Sequence, residues 1–144
     1  MTKLRAMEVR DDSKDSFGPI HVLLAEDDEL NQKVTLIMLS RLGYRADAVA
    51  NGLEVIQALE QRAYDLILMN IVMPKMDGLE TTREICKTLP APKRPKIIAI
   101  TGYILPNDKE RCFEAGMDDY LFKPVTLNEL GLMLTKYLPE RHTT

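Results

Sequence analysis

Four polar positions in this sequence follow directly on short apolar runs, and they are the ones whose types and spacing could do chemistry. Leu66-Ile67-Leu68-Met69 runs into Asn70, and Ile20-His21-Val22-Leu23-Leu24-Ala25 runs into the carboxylate block Glu26-Asp27-Asp28-Glu29. Ile97-Ile98-Ala99-Ile100 ends in Thr101, and Tyr120-Leu121-Phe122 ends in Lys123. Carboxylates at the carboxyl end of a strand can converge with neighbouring strand ends to hold a divalent cation by oxygen ligands, the coordination such hard ions favour. Lysine and threonine would bring a positive charge and a hydroxyl to the same edge. Asn70 has an oxygen able to ligate a metal, but its neutral amide is a poor nucleophile.

These positions share a pocket only if the elements beneath them are parallel strands of one sheet. Continuous apolar runs such as Leu66–Met69 leave no face for water, as in sheets covered by helices on both sides. Between the runs, Leu30, Val34, Ile37, Met38 and Leu42 recur at helical spacing before Gly43, and Leu53, Ile56 and Leu59 do the same. Leu79, Thr82, Ile85, Cys86 and Leu89 mark a third helix, closed by Pro90, Pro92 and Pro95, since proline lacks an amide donor and restricts the residue before it. A fourth runs from after Pro106 to Gly116, and a capping box at Thr126 and Glu129 opens a fifth through Leu127, Leu130, Leu134 and Leu138. Ala46–Val49 is the remaining strand. Strand and helix alternating at intervals too short for hairpins predict right-handed crossovers and an α/β, doubly wound parallel sheet of flavodoxin-like (βα)5 type, order 2-1-3-4-5.

The chain has 144 residues, 45% of them apolar, and a formal net charge of −3, which suits one domain and supplies no basic footprint for nucleic acid or an anionic membrane. No apolar run approaches the length of a membrane span, and the charged amino terminus lacks the apolar core of a signal peptide, so a cytoplasmic protein, or the cytoplasmic part of a larger sensor protein, is expected. Residues 1–18 mix charges of both signs without periodicity and read as a disordered linker or cloning remnant; 19–139 form the domain, and 140–144 a frayed tail. Cys86 and Cys112 have no metal-ligand spacing and read as packed apolar residues, and His21, at a strand start, reads as structural. Asp28, Glu29 and Asp77 read as caps or surface residues.

The segment YDLILMNIVMPKMDG resembles the acceptor segment of response-regulator receiver domains, in which an apolar strand, Asp, two residues, Met-Pro and Met-Asp-Gly follow one another. The resemblance covers residues 20–138, and EDDELNQKV and AGMDDYLFKP are similar to the receivers of hybrid sensor histidine kinases. It implies that position 70 is the phosphoacceptor, that Lys123 and Thr101 bind the phosphoryl group, and that Thr101 and Tyr120 form the switch. It further implies Mg2+ held by Asp27, the side chain of residue 70 and the backbone carbonyl of Val72, with Glu26 acting through water. The implied partner is a histidine kinase or histidine phosphotransfer domain. This stretch holds no kinase catalytic domain, though a parent chain could be a hybrid histidine kinase.

This sequence departs from the family at the acceptor itself, where Asn70 stands in place of Asp. Phosphoryl transfer to position 70 is therefore expected to be blocked and Mg2+ binding weakened. An Asp-to-Asn substitution in an otherwise normal receiver fits the complete remaining set of Glu26, Asp27, Thr101 and Lys123; the alternative is a natural pseudo-receiver that signals by protein binding without phosphorylation. A flavin carrier or phosphatase of the same topology fits poorly, because the loop after the first strand is acidic rather than phosphate-cradling and Asn70-Ile71-Val72 lacks a second Asp.

Overall fold

The apolar run in the middle of the sequence is the central strand of the sheet. The computed structural model describes residues 20–102 and 107–138; the expected linker over 1–18 and tail over 140–144 lie outside them. Strands β1 (His21–Ala25), β2 (Arg45–Val49), β3 (Leu66–Asn70), β4 (Lys96–Thr101) and β5 (Asp119–Phe122) alternate with helices α1 (Glu29–Arg41), α2 (Gly52–Gln61), α3 (Gly78–Thr88), α4 (Asp108–Ala115) and α5 (Leu127–Tyr137). A short 3-10 turn, Ala91–Lys93, precedes β4. The sheet is parallel throughout, in the expected order β2-β1-β3-β4-β5.

Because side chains alternate across a strand, each buried strand feeds two cores. Leu23, Ala25, Ile67, Met69, Ile97 and Ala99 face Val55 of α2, Leu79 and Ile85 of α3, and Cys112 and Ala115 of α4. Val22, Leu24, Leu66, Leu68, Ile98 and Ile100 face Leu39 of α1 and Leu130 and Leu134 of α5. Burial on both faces is what removed the polar alternation from these runs.

The helices begin and end on local signals. Asp28 caps α1 by accepting from the Asn31 amide, Asn51 caps α2, and Asp77–Glu80 and Thr126–Glu129 form full capping boxes on α3 and α5. Gly116 ends α4 at φ 115°, a region open to glycine and strained for other residues. Arg94 satisfies the carbonyls of Leu89 and Cys86 at the end of α3, each at 2.8 Å. Cys112 is buried and Cys86 half-buried, both as free thiols, and burial pushes the Cys112 thiol up.

The helical faces read from spacing need correction. In α1, Leu39 is the fully buried residue, with Leu36, Met38 and Leu42 packed beside it, whereas Leu30, Val34 and Ile37 are 70%, 46% and 59% exposed. Leu53 of α2 is likewise exposed while Val55 is buried. α1 carries two apolar stripes, and periodicity alone does not say which one turns to the sheet.

Candidate functional site

Register brings the polar strand ends together. Ala25 pairs with Met69, so Glu26 comes level with Asn70; Asn70 pairs with Ile100, and Thr101 pairs with Phe122, the residue before Lys123. Backbone bonds extend this alignment past the strands: the Glu26 amide donates to the Val49 carbonyl at 3.0 Å, Ile71 to Ile100 at 3.2 Å, and Lys123 to Thr101 at 2.8 Å.

Among the described residues Glu26 is the most deeply placed charge, 3% exposed, and both of its carboxylate oxygens are satisfied. Oε1 lies 3.1 Å from Lys123 Nζ, while Oε2 accepts from the Asp28 amide at 3.1 Å and from Asn70 Nδ2 at 3.2 Å. Asn70, 7% exposed, directs the same nitrogen to Asp27 Oδ1 at 3.0 Å and to the Val72 carbonyl at 3.1 Å. Two carboxylates and a backbone carbonyl therefore converge on one point. They could hold a divalent cation, although among the described residues no group of three or more His, Cys, Asp or Glu side chains gathers on one.

The loop after β3 is shaped to aim the Val72 carbonyl inward while the Val72 side chain is exposed. Met73 is buried beneath it, Lys75 takes the left-handed backbone region at φ 69°, and the Gly78 amide closes the loop on the Ile71 carbonyl at 2.8 Å. The Lys123-Pro124 peptide that follows β5 is cis.

From this acidic edge a cavity of about 660 Å3 runs towards α4, lined in part by Thr101, Lys123, Tyr120, Lys109 and Arg111. Thr101 is buried at its wall. Tyr120 packs edge-on against Phe113 and Phe122, with ring centroids 6.2 and 5.2 Å away, and the Lys109 ammonium lies 4.9 Å over its ring. All of the sequence-derived site residues thus meet at one end of the sheet. Asp28 and Asp77 serve as caps, and Glu29 lies exposed in the first turn of α1.

Sequence reasoning missed Gln32, whose side-chain amide donates to the Glu26 carbonyl at 3.0 Å, and the basic pair Lys109 and Arg111 at the far wall. A glutamine one turn into a helix that follows an acidic loop was the available signal. The α4 residues had none, because their placement depends on how α4 packs.

Residues 22–135 match the response regulator receiver domain family model. The chain belongs to that family. As a receiver domain, it is no kinase catalytic domain. It is 40% identical over 127 residues to Histidine protein kinase 1 of Candida albicans, a match that takes in 82% of this chain and 5% of the relative, so the chain spans a small part of that protein's length. Among solved structures it is similar to the receiver domain of sensor histidine kinase PA1611 from Pseudomonas aeruginosa, at 41% identity and TM-score 0.75, covering 83% of this chain and 98% of that one. That domain has a magnesium ion coordinated in its active site cleft. The receiver domain of Ssk1 from Saccharomyces cerevisiae, solved with the histidine phosphotransfer protein Ypd1, is similar at 26% identity and TM-score 0.74, over 83% of this chain and 88% of that one. The receivers it is similar to thus include that of a sensor histidine kinase and that of a response regulator solved with a histidine phosphotransfer protein. Among the described residues no helix is long and apolar enough to cross a membrane.

Proposed function

We propose that this receiver is built to take a phosphoryl group from a phosphohistidine, on the cytoplasmic side of a signalling system, and that Asn70 blocks the transfer. The carrying observation is that Asn70 sits at the focus of Glu26, Asp27 and the Val72 carbonyl, with Lys123 at 3.1 Å from Glu26. With a carboxylate at position 70, one of its oxygens would form the bond to phosphorus as the bond to the histidine ring nitrogen breaks, the ring nitrogen keeping the electron pair. Lys123 and Thr101 would hold the phosphoryl oxygens. Glu26, Asp27, the Val72 carbonyl and the side chain at 70 would hold Mg2+, whose charge offsets that of the oxygens brought together. Asn70 offers neither the charge nor the nucleophile.

The partner we infer is a histidine kinase or histidine phosphotransfer domain. Leu30, Val34 and Ile37 form an exposed apolar stripe on α1, which starts just after the acidic loop, and Val72 is exposed in the lining of the cavity. An apolar rim around a charged pocket suits a partner that must bring a histidine to the pocket mouth.

The test is intact-mass measurement after incubation with acetyl phosphate or a phosphorylated histidine partner. The Asn70 chain should gain nothing and the Asn70→Asp chain one phosphoryl group, localised to position 70. A phosphoryl group on Asp27 of the Asn70 chain would overturn the reading. The alternative, a pseudo-receiver acting by binding alone, draws support from the three hydrogen-bond acceptors around the Asn70 amide. It predicts that partner binding survives in the Asn70 chain and that Asn70→Asp gains no phosphoryl group.

A further inference from the structure

We propose that the Asn70 carboxamide is a built-in stand-in for the cation, and that a divalent ion enters only when the amide turns over. This rests on the functional reading above for where the ion would sit. Its own support is a set of distances: Asn70 Nδ2 lies 3.2 Å from Glu26 Oε2, 3.0 Å from Asp27 Oδ1 and 3.1 Å from the Val72 carbonyl. The nitrogen occupies the point on which these oxygens converge. It has two protons for three acceptors, so one N–H is shared, and every acceptor gains a donor without any ion.

The opposite orientation would be untenable without metal. It would place Asn70 Oδ1 against two carboxylate oxygens and a carbonyl with no proton between them, in a site where Asn70 is 7% exposed. With a cation at the centre the preference inverts, because the ion needs the oxygen and repels the N–H dipoles. Orientation of the amide and occupancy by metal are therefore one equilibrium. Metal binding must break the three contacts of Nδ2 and lacks the charge of an aspartate, so the affinity for Mg2+ should fall by about tenfold or more relative to Asn70→Asp.

Stability depends on the same contacts. Lys123 pairs with Glu26, and an aspartate at 70 would add a third carboxylate to the focus of Glu26 and Asp27. Without divalent ions, the Asn70 chain should melt higher than Asn70→Asp by about 4 °C, and Asn70→Ala should also fall below it because Glu26 and Asp27 lose a donor. Saturating Mg2+ should raise Asn70→Asp past the Asn70 chain and move the latter by less than half as much.

The experiment is thermal melting of the three chains at near-neutral pH in EDTA and in Mg2+, together with 15N spectra of the side-chain amides. The Asn70 NH2 pair, identified by its loss in Asn70→Asp, should exchange with solvent far more slowly in EDTA than that of the exposed Asn128, and Mg2+ at high concentration should shift it and speed its exchange. The proposal is overturned if Asn70→Asp or Asn70→Ala melts as high as the Asn70 chain in EDTA, if Mg2+ stabilises the Asn70 and Asn70→Asp chains equally, or if the Asn70 amide exchanges like that of Asn128. If Asn70→Asp melts as expected but accepts no phosphoryl group, the functional reading fails while the role of the amide stands.

Discussion

Lys123 Nζ lies 3.1 Å from Glu26 Oε1, joining the end of the last strand to the end of β1 across the two strands that separate them. The Glu26 carboxylate is buried while Lys123 keeps part of its side chain in solvent, so the pair matters chiefly as the counter-charge of Glu26. Lys123→Met should lower unfolding stability by about 2 kcal/mol. Adding Glu26→Gln to that variant should recover more than half of the loss, and a double-mutant cycle in urea measures the coupling.

Gly78 is needed for contact rather than for turning. A Cβ there would stand 2.5 Å from the Asn70 carbonyl oxygen and 3.0 Å from Ile71 Cα, both backbone atoms that cannot yield without moving the site. Gly78→Ala should therefore cost about 2 kcal/mol and shift the amide resonances of residues 70–72. Gly102 is the control: its nearest neighbours would be Lys123 side-chain atoms at 3.7 Å, and Gly102→Ala should stay within about 0.5 kcal/mol.

At the opposite end of the sheet, Asp47 accepts from Tyr64 at 2.7 Å and lies 3.1 Å from His21 Nε2 and 3.6 Å from Arg62. The hydrogen bond to His21 is the main cause that holds its carboxyl at about 2, against 3.8 for the ordinary group. A carboxyl depressed in the folded state stabilises above its unfolded value and loses that contribution as pH falls through the folded one. Stability should therefore drop between about pH 4 and pH 2, by roughly 1 kcal/mol once the half-exposed position is discounted, and Asp47→Asn should flatten this part of the curve. Denaturant midpoints measured across that range decide it.

The two stripes of α1 should separate stability from recognition. Leu39→Ala, in the fully buried position, should cost about 3 kcal/mol. The pair Leu30→Ala with Ile37→Ala should leave stability within about 0.5 kcal/mol yet slow phosphoryl transfer from a phosphohistidine partner in the Asn70→Asp background. Unfolding midpoints and transfer kinetics read the two effects separately.

Much of this arrangement was legible because its signals are local. Runs such as Leu66–Met69 announce a strand covered on both faces, and each ends at the residue whose side chain the register then brings to the shared edge. The capping boxes at Asp77 and Thr126 lie within four residues of sequence. What could not be read is decided by tertiary contact. Whether Leu30 or Leu39 faces the sheet depends on how α1 rolls against β1 and α5, and that Asn70 would turn its nitrogen rather than its oxygen to the carboxylates follows from distances that only the folded chain sets.

Glu26, Asn70, Thr101 and Lys123 are drawn from nearly the whole length of the described chain, through parallel pairings that no hairpin can nucleate. Closure of such long loops has to be met before any contact rewards it, so the pocket cannot mature ahead of the sheet as a whole. A nascent chain lacking β5 would carry Glu26 without its lysine, and a fragment ending before β4 would lack the wall formed by Thr101. The pocket is therefore expected to form in one step, late in folding, so that partially folded forms lack the joined Glu26, Thr101 and Lys123.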